Sequence, residues 1–405
     1  MSENPIIGAI ELGTSKVVAL VGEILDDGSL AVLGHADCST QGVVKGEIVD
    51  FKSVCACAHT AIESIEDEAG VPLDTVYLAL TGKHFKGRQN TGITPVQSAD
   101  GCVQQEDIDR VSEEAKRRPL DPGSIYIQHM RNGFSLDGRS ISDPLGQPGE
   151  RLEAHYWSVF GDQAKVEELM RVVNGFGLEL ESIVLSSSAA ASMLLTEEEK
   201  KAGALVVDIG CGTTDYAVYK DGCVRRTGVL AVGGEHITND LAMGLRISRK
   251  RAEFLKLTHG KATLSKEDRN QSIWTHGDYT IGDSMITQYA ISQIISARVE
   301  EIFQIVRKEL GEAGESDYIP SGVFITGGSA HIKELAQAAA KVFGVSARVA
   351  RLPRWASETL AQPEYATVMG LLHFALQARQ GGGTGGRVAE GNILRKVARI
   401  LNFNV

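Results

Sequence analysis

The chain has 405 residues, 43% of them hydrophobic and 23% charged, with a formal net charge of −11 at pH 7, which is ordinary for a globular protein with two or more hydrophobic cores. The acidic balance without a basic stripe argues against nucleic-acid binding, and six cysteines without C-x-x-C spacing predict reduced, mostly buried thiols rather than a metal site. Neither a secretory signal nor a run of about 18 apolar residues is visible, so we expect the body of the protein in the cytoplasm.

Residues 6–21, IIGAIELGTSKVVALV, predict two apolar strands around a tight turn that carries an acid, a glycine and hydroxyls. Glycine lets the backbone approach a ligand closely, successive N–H groups point into such a turn, and the hydroxyls add donors. The turn is therefore a candidate anion cradle, although a purely structural hairpin has the same pattern.

An inserted module is predicted between a strand at residues 75–80 and a helix that begins near Asp162. Glycines and prolines there punctuate short strands and one helix, residues 106–117. Residues 125–130 and 152–160 alternate like half-exposed strands. We assign residues 85–162 to this small α+β module, whose composition reveals no catalytic role.

Residues 205–219, LVVDIGCGTTDYAVY, repeat the plan of the first hairpin about half the chain later. Asp208 matches Glu11 and Gly210 matches Gly13, which indicates an internal duplication. Two facing turns of this kind would hold a polyphosphate from both sides. The carboxylate at the end of each strand would lie beside the phosphates, where it can hold Mg²⁺ through water or orient an attacking water.

A mainly helical module is predicted from about residue 225 to 311, with a long helix at residues 283–310. Residues 322–333, GVFITGGSAHIK, then predict a buried strand that runs into Gly327 and Gly328 before a helix. Close approach of the backbone to a flat base or ribose would need those glycines. A strand-to-helix turn in a plain α/β sheet also explains them.

The chain ends in a glycine-rich segment, residues 380–391, and an amphipathic helix, residues 392–405. The segment predicts a flexible linker, and a basic helix on an acidic chain predicts contact with an anionic membrane surface. One copy should bind weakly, so firm attachment would need many copies in a polymer or cluster. The alternative is a helix that docks on the protein itself or on a partner. The side chains assigned to the membrane are Ile393, Leu394, Arg395, Lys396, Val397, Arg399, Ile400, Leu401 and Phe403.

These segments, in this order, resemble the actin superfamily of nucleotide-binding proteins. The resemblance narrows to the FtsA family of bacterial cell division proteins through IELGTSKVVALVGEI, VYLALTGKH, ALVVDIGCGTTDYAVYKDG, VFITGGSAHIKEL and the C-terminal helix. It spans essentially the whole chain. It implies an α/β, actin-like two-lobed fold with duplicated phosphate-clamp halves, in which the inserted module replaces the usual second small subdomain.

The resemblance also implies a division of the chain. The first lobe takes residues 1–84, continued by 163–200 and 343–379. The second lobe takes residues 201–224 and 311–342, with a small helical-rich subdomain at 225–310.

ATP or ADP with Mg²⁺ is the cofactor that the resemblance implies. Lys16 would supply a cation to the β- and γ-phosphates, and Glu253 and Lys256 would approach the ribose and base, although a solvated i, i+3 pair also fits these two. Asp208 would be the catalytic residue, since it would orient water and, with Glu11, hold Mg²⁺ through water rather than directly. The predicted nucleotide-binding residues are Glu11, Gly13, Thr14, Ser15, Lys16, Asp208, Gly210, Gly212, Thr213, Thr214, Gly233, Gly234, Glu253, Lys256, Gly327, Gly328 and Ser329.

Hydrolysis is expected to be slow at most. In related ATPases a glutamate stands just before an alanine-rich helix, whereas this chain has Ser186 in LSSSAAA. A serine hydroxyl gives no general-base help near neutral pH.

The implied function is that of an actin-like, ATP-binding cell division protein that polymerises. It would tether FtsZ filaments to the cytoplasmic face of the inner membrane at the septum, as a peripheral protein. Arg298 would receive the acidic C-terminal peptide of FtsZ, although a surface arginine without a role fits too. Residues 85–162 would contact neighbouring subunits and later division proteins. The alternatives are another bacterial actin of shape or pilus assembly, and a small-molecule kinase, for which no aspartate base stands in a recognisable context.

Overall fold

The computed structural model describes residues 5–275, 282, 284–352 and 357–379. The predicted linker, residues 380–391, and the predicted membrane helix, residues 392–405, lie outside the described residues. Among those described, no helix combines the length and the apolar character needed to cross a membrane.

Strands and helices alternate along the described chain. The strands are β1 (Ile6–Leu12), β2 (Lys16–Ile24), β3 (Leu30–Ser39), β4 (Val43–Val44), β5 (Glu47–Ile48), β6 (Thr75–Leu80), β7 (Lys86–Pro95), β8 (Ser124–Leu136), β9 (Arg139–Ile141), β10 (Arg151–Asp162), β11 (Glu179–Leu185), β12 (Ala204–Ile209), β13 (Thr214–Lys220), β14 (Cys223–Leu230), β15 (Ser272–Thr275), β16 (Ser284–Thr287), β17 (Val323–Thr326) and β18 (Ala347–Val349). The helices are α1 (Phe51–Ala69), α2 (Gln105–Lys116), α3 (Gln163–Asn174), α4 (Ser186–Leu194), α5 (Glu197–Ala202), α6 (Gly234–Leu245), α7 (Arg249–His259), α8 (Gln288–Leu310), α9 (Leu335–Phe343) and α10 (Ala366–Arg379).

Two five-stranded sheets have the same topology, one in each lobe. The first has the order β11-β6-β1-β2-β3 and the second the order β18-β17-β12-β13-β14. In each sheet three consecutive strands are antiparallel to one another, namely β1, β2 and β3 in the first sheet and β12, β13 and β14 in the second. The two remaining strands lie on the other side of β1 or β12 and run parallel to it. The predicted internal duplication is therefore confirmed in three dimensions.

The central strands β1 and β12 are buried almost throughout because each lies in the middle of its sheet. The exceptions at their carboxyl ends are Glu11 and Asp208, which are only partly buried. Helices α1 and α10 pack on the first sheet, and α9 packs on the second. The packing therefore leaves one acid at the end of each central strand open toward the space between the lobes.

The inserted module has its own four-stranded sheet, in the order β7-β10-β8-β9, and its own hydrophobic cluster under α2. It also docks on the edge strand β14 of the second lobe. Asn132 Nδ2 donates to the Val224 carbonyl at 2.7 Å, and Trp157 Nε1 donates to Thr227 Oγ1 at 2.9 Å. The module is thus joined to the first lobe by both of its chain ends and to the second lobe by these hydrogen bonds.

Several local expectations differ from the structure. The long helix begins at Gln288, not near residue 283, because residues 284–287 pair with β15 and the Thr287 side chain caps α8 by accepting from Ala290 N. All six cysteines are free thiols, but they are only partly buried. The two segments predicted for the second lobe are residues 201–224 and 311–342. In the structure the second sheet extends beyond both, because β14 runs to Leu230 and β18, residues 347–349, pairs with β17.

Candidate functional site

The two equivalent turns face each other across a cleft between the lobes. Each turn is closed by the same bond: Gly13 N–H donates to the Lys16 carbonyl at 3.0 Å, and Gly210 N–H donates to the Thr213 carbonyl at 2.9 Å. Both turns line one pocket. The sequence duplication therefore produces a site with a backbone turn on each wall.

Glycine is required where the walls come closest. A Cβ on Gly212 would lie 2.5 Å from Thr14 Oγ1 of the opposite turn. Gly327 has φ +84°, and a Cβ there would lie 2.3 Å from Asp208 Oδ1 and 2.6 Å from the Ile209 carbonyl oxygen. Any larger residue at either position would push the walls apart or displace the carboxylate.

Three carboxyl groups lie at the base of this cleft. Asp208 and Asp215 are directly opposite each other on β12 and β13, and Glu11 occupies the matching end of β1. Burial, followed by the charges of Asp208 and Asp215, raises the pKa of Glu11 to about 8. Burial and the neighbouring Asp208 raise the pKa of Asp215 to about 8, and burial raises the pKa of Asp208 to about 6. Glu11 and Asp215 are therefore mostly protonated near neutral pH, and a cation in the cleft would favour their ionised forms.

Hydroxyl donors from the first lobe hold two of these carboxyl groups. Thr81, directly after β6, donates to both oxygens of Asp215 at 2.8–2.9 Å. Thr367 of α10 donates to Asp208 Oδ2 at 2.9 Å. Both bonds cross from the first lobe to the second, so the carboxyl groups link the lobes as well as line the cleft.

Lys16 reaches the pocket but is already engaged. Its ammonium lies 2.9 Å from Asp37 Oδ2 and 4.2 Å from the centre of the Tyr365 ring. The Tyr365 hydroxyl also donates to Asp37 Oδ2 at 2.6 Å. A ligand anion would therefore compete with Asp37 for this lysine.

Glu253 and Lys256 form part of the cleft wall rather than a solvated pair. They are ion-paired at 2.8 Å, and the Lys256 side chain is only 10% exposed. Lys256 Nζ also donates to the Gly234 carbonyl at 3.2 Å and to Thr238 Oγ1 at 2.9 Å. These contacts fix the ammonium beside the first turn of α6, where it faces the pocket.

The structure brings most of the predicted nucleotide-binding residues together around one pocket. Two predicted members do not line it: Thr214 is fully buried and donates to the Val232 carbonyl at 2.8 Å, and Gly233 lies behind, where a Cβ would meet Gly210 O at 2.6 Å. The predicted residues that line the pocket are Glu11, Gly13, Thr14, Ser15, Lys16, Asp208, Gly210, Gly212, Thr213, Gly234, Glu253, Lys256, Gly327, Gly328 and Ser329.

Arg298 lies away from this pocket, on α8. Its guanidinium pairs with both oxygens of Asp240 on α6, at 2.6 and 3.0 Å, and also contacts Glu301. An acidic peptide would have to replace these intramolecular carboxylates, so the assignment of Arg298 to a partner stays a prediction.

Sequence reasoning missed several residues of the pocket, above all Thr81 and Asp215. Asp215 carries a signal, because an acid in an otherwise apolar strand two residues after the turn is unusual. Thr81 carries none, since it comes from a different strand and meets Asp215 only in the folded protein.

A hydrated divalent cation fits this arrangement. Among the described residues, no three acidic, histidine or cysteine side chains are close enough to ligate one metal ion together. The carboxyl groups of Glu11, Asp208 and Asp215 are nevertheless clustered, and a positive charge nearby would offset the effect of burial that raises their pKa values. They therefore fit an ion that they contact through water.

Comparison with known proteins gives a consistent result. A family model described as cell division protein FtsA matches residues 205–370, and a model of the SHS2 domain inserted in FtsA matches residues 82–160. The cell division protein FtsA of Pseudomonas aeruginosa is 30% identical over 388 residues, which cover 94% of this chain and 92% of that protein. FtsA of Bacillus subtilis is 33% identical over 376 residues, 93% of this chain and 84% of that protein.

Solved structures agree on the fold. The PilM-PilN type IV pilus biogenesis complex matches with a TM-score of 0.63 and 19% identity, over 91% of this chain and 98% of that one. MreB 5 of Spiroplasma citri bound to AMPPNP matches with a TM-score of 0.57 and 15% identity, over 94% of this chain and 98% of that one. At these identities the likeness concerns architecture, and it confirms the predicted actin-like two-lobed fold.

Proposed function

The chain belongs to the FtsA family of cell division proteins, and we propose that it is an ATP-binding adaptor that polymerises and tethers FtsZ filaments to the cytoplasmic face of the inner membrane at the septum. The observation that carries the proposal is the cleft in which two duplicated turns face three carboxyl groups. Such a cleft suits a polyphosphate with a divalent cation. The structurally similar Spiroplasma protein is bound to AMPPNP, which supports a nucleotide in the equivalent place.

ATP or ADP would be held by groups on both lobes. The N–H groups and hydroxyls of the turns at residues 13–15 and 210–213 would bind phosphate oxygens, and Lys16 would exchange Asp37 for a phosphate. Glu253, Lys256 and the Gly327–Gly328 turn line the part of the pocket suited to the ribose and base. Because the two turns belong to different lobes, ligand binding would draw the lobes together.

Mg²⁺ would be held through water by Asp208, Asp215 and Glu11. The ion, when bound, neutralises charge on the phosphate oxygens. Asp208 is the acid with the lowest pKa of the three, about 6, so it is largely ionised at neutral pH and is the best placed to orient a water molecule. Thr367 fixes the position of this carboxylate by donating to Oδ2.

Slow hydrolysis is part of the proposal. Ser186 lines the cleft, is only 3% exposed, and donates its hydroxyl to the Leu80 carbonyl at 3.0 Å. A serine hydroxyl has no useful basicity near neutral pH, so Ser186 would not take a proton from an attacking water. Nucleotide turnover would then act as a slow switch on assembly.

Membrane attachment would come from residues 392–405 on the linker 380–391. Each cationic side chain near an anionic surface contributes about 1 kcal/mol, and partial burial of the apolar face adds to it. One copy gives a weak contact, and a polymer multiplies it. Later division proteins would bind through residues 85–162, and the FtsZ C-terminal peptide near Arg298.

Co-sedimentation with vesicles tests the tether. The full chain and a version ending at Gln380 are mixed with vesicles that contain or lack anionic lipid, with and without Mg-ATP. We expect the full chain to pellet with anionic vesicles, more completely with ATP, and the shortened chain to stay in the supernatant. Binding of the shortened chain to the same vesicles would refute the tether. If ATP did not change the fraction of the full chain that pellets, control of membrane attachment by polymerisation would be refuted.

A further inference from the structure

A small hairpin of the first lobe, β4 with β5, lies against the turns at residues 13–15 and 210–213. Val43 and Val44 pair with Ile48 and Glu47, so Lys45 and Gly46 form a two-residue turn. Both have positive φ, 53° for Lys45 and 75° for Gly46. Positive φ at both central positions is characteristic of a type I′ turn, which normally carries Asn-Gly or Asp-Gly.

Lysine is an unexpected residue in this turn. The described part of the chain has two other hairpin turns of the same kind, and both use aspartate followed by glycine: Asp137 and Gly138 with φ 51° and 78°, and Asp221 and Gly222 with φ 56° and 72°. A lysine has no short polar group to support the left-handed conformation and is strained there. A locally unfavourable residue beside a functional cleft indicates that its side chain serves the ligand rather than the fold.

The tip of this hairpin lies where the two cradle turns meet. Gly46 N–H donates to Thr14 Oγ1 at 3.2 Å. A Cβ on Gly212 would lie 3.0 Å from Lys45 Cα, and a Cβ on Gly46 would lie 3.0 Å from Thr213 Cγ2. The hairpin therefore contacts both turns and sets the position of the Thr14 hydroxyl.

The Lys45 ammonium is available to a ligand. It is exposed, and within the part of the chain that the structure describes it forms no ion pair or hydrogen bond. Lys16 and Lys256, in contrast, are paired with Asp37 and Glu253. Lys45 is also close enough to the start of α6 for its charge to add to the effect of burial in lowering the pKa of His236.

We propose that Lys45 binds the terminal phosphate of a nucleoside triphosphate and thereby distinguishes it from a diphosphate. The inference rests on the proposed function, since it needs a nucleotide in the cleft. The hairpin tip touches the junction of the two turns, whereas Glu253 and Lys256 line the wall assigned to the ribose and base. Lys45 thus lies at the phosphate end of the ligand, and the Gly46 bond to Thr14 holds the hairpin there.

The Lys45→Asn variant separates the fold from the ligand, because asparagine suits the turn and removes the charge. Affinities for Mg-AMPPNP and Mg-ADP are measured by calorimetry on the full chain, together with the melting temperature. We expect an unchanged or higher melting temperature, a loss of about tenfold in AMPPNP affinity, as for one charge-assisted contact, and little change for ADP. Lys45→Arg should retain most of the preference. Asp137→Asn, in the matched turn of the inserted module, should change neither affinity.

The outcomes discriminate between the two claims. Equal losses of AMPPNP and ADP affinity in Lys45→Asn would overturn the terminal-phosphate assignment, and so would unchanged affinities for both. If the unmodified chain binds neither nucleotide, the proposed function itself fails. If it binds both and the variant is unaffected, only the role of Lys45 is lost.

Discussion

Asp215→Asn tests whether the carboxyl groups at the base of the cleft are protonated when no cation is bound. Folding raises the pKa of Asp215 from 3.8 to about 8. An acid with a raised pKa in the folded state stabilises the protein below its unfolded pKa, and this contribution is lost as the pH rises from 3.8 toward 8. Asparagine is permanently neutral and escapes the loss, so the variant should gain stability relative to the unmodified chain with each step upward in pH.

The size of the effect follows from linkage. Between pH 6 and 7 the folded Asp215 carries nearly one proton that the unfolded chain lacks, so the stability difference between the two proteins changes by about 1.4 kcal/mol per pH unit. For a cooperative unit of lobe size this corresponds to about 3 to 6 °C in melting temperature per pH unit. Buried histidines such as His129, whose pKa is lowered to about 4, act in both proteins and cancel in the comparison.

Thermal unfolding with a chelator present, at intervals from pH 6 to pH 7.5, measures this difference. Asp26→Asn, at an exposed turn, is the matched control and should follow the unmodified chain at every pH. If the melting temperature of Asp215→Asn changes with pH in the same way as that of the unmodified chain, the Asp215 carboxyl group is ionised in the folded protein. The argument that the cleft needs a cation to ionise its acids is then refuted. With saturating Mg-ATP the advantage of the variant should vanish, since the ion stabilises the ionised group.

Two further substitutions probe the same cleft. Thr81→Val removes the donor to Asp215, so it should lower the stability by about 1 to 3 kcal/mol in thermal unfolding and weaken nucleotide binding in calorimetry. Thr60→Val is the control and should be close to neutral, because this exposed hydroxyl of α1 bonds only the Ala56 carbonyl of its own helix. Equal effects of the two substitutions would contradict the role of Thr81 between the lobes. Gly327→Ala should abolish Mg-ATP binding, because its Cβ would overlap Asp208 Oδ1. Gly344→Ala is the control: with φ +71° and no atom within 4 Å of its Cβ, it should cost only about 1 to 2 kcal/mol of stability and leave binding intact. If Gly327→Ala still bound Mg-ATP, the Asp208 side chain would be free to move.

The parts of the fold that depend on local pattern could be predicted from the sequence. An apolar run, a turn with glycine and hydroxyls, and a second apolar run specify each cradle hairpin, and the repeat at Asp208 relates the two. Residues 284–287 show where local pattern fails. No glycine or proline separates them from α8, and only pairing with β15 makes them a strand.

The contacts that organise the cleft depend on positions far apart in the chain. Thr81 and Asp215 are separated by 134 residues, and Asp208 and Thr367 by 159. A single threonine in a strand or a helix carries no local mark of such a partner. Lys45 is intermediate, because the Lys-Gly pair is visible in the sequence but its positive φ and its place between the turns are properties of the folded chain.

The position of the acids also explains how a ligand in the cleft can act on the lobes. Asp208 and Asp215 belong to the second lobe, yet their donors Thr367 and Thr81 belong to elements of the first. In the proposed nucleotide complex, a cation that draws either carboxylate toward itself would weaken or realign a bond between the lobes. The phosphates would add contacts to the turns at residues 13–15 and 210–213. The inserted module is attached to the first lobe by its chain ends and to the second through Trp157 and Asn132, so a change in the angle between the lobes must strain or shift one of these attachments. Nucleotide state would thus reach the surface that the inserted module presents without any contact between that module and the nucleotide.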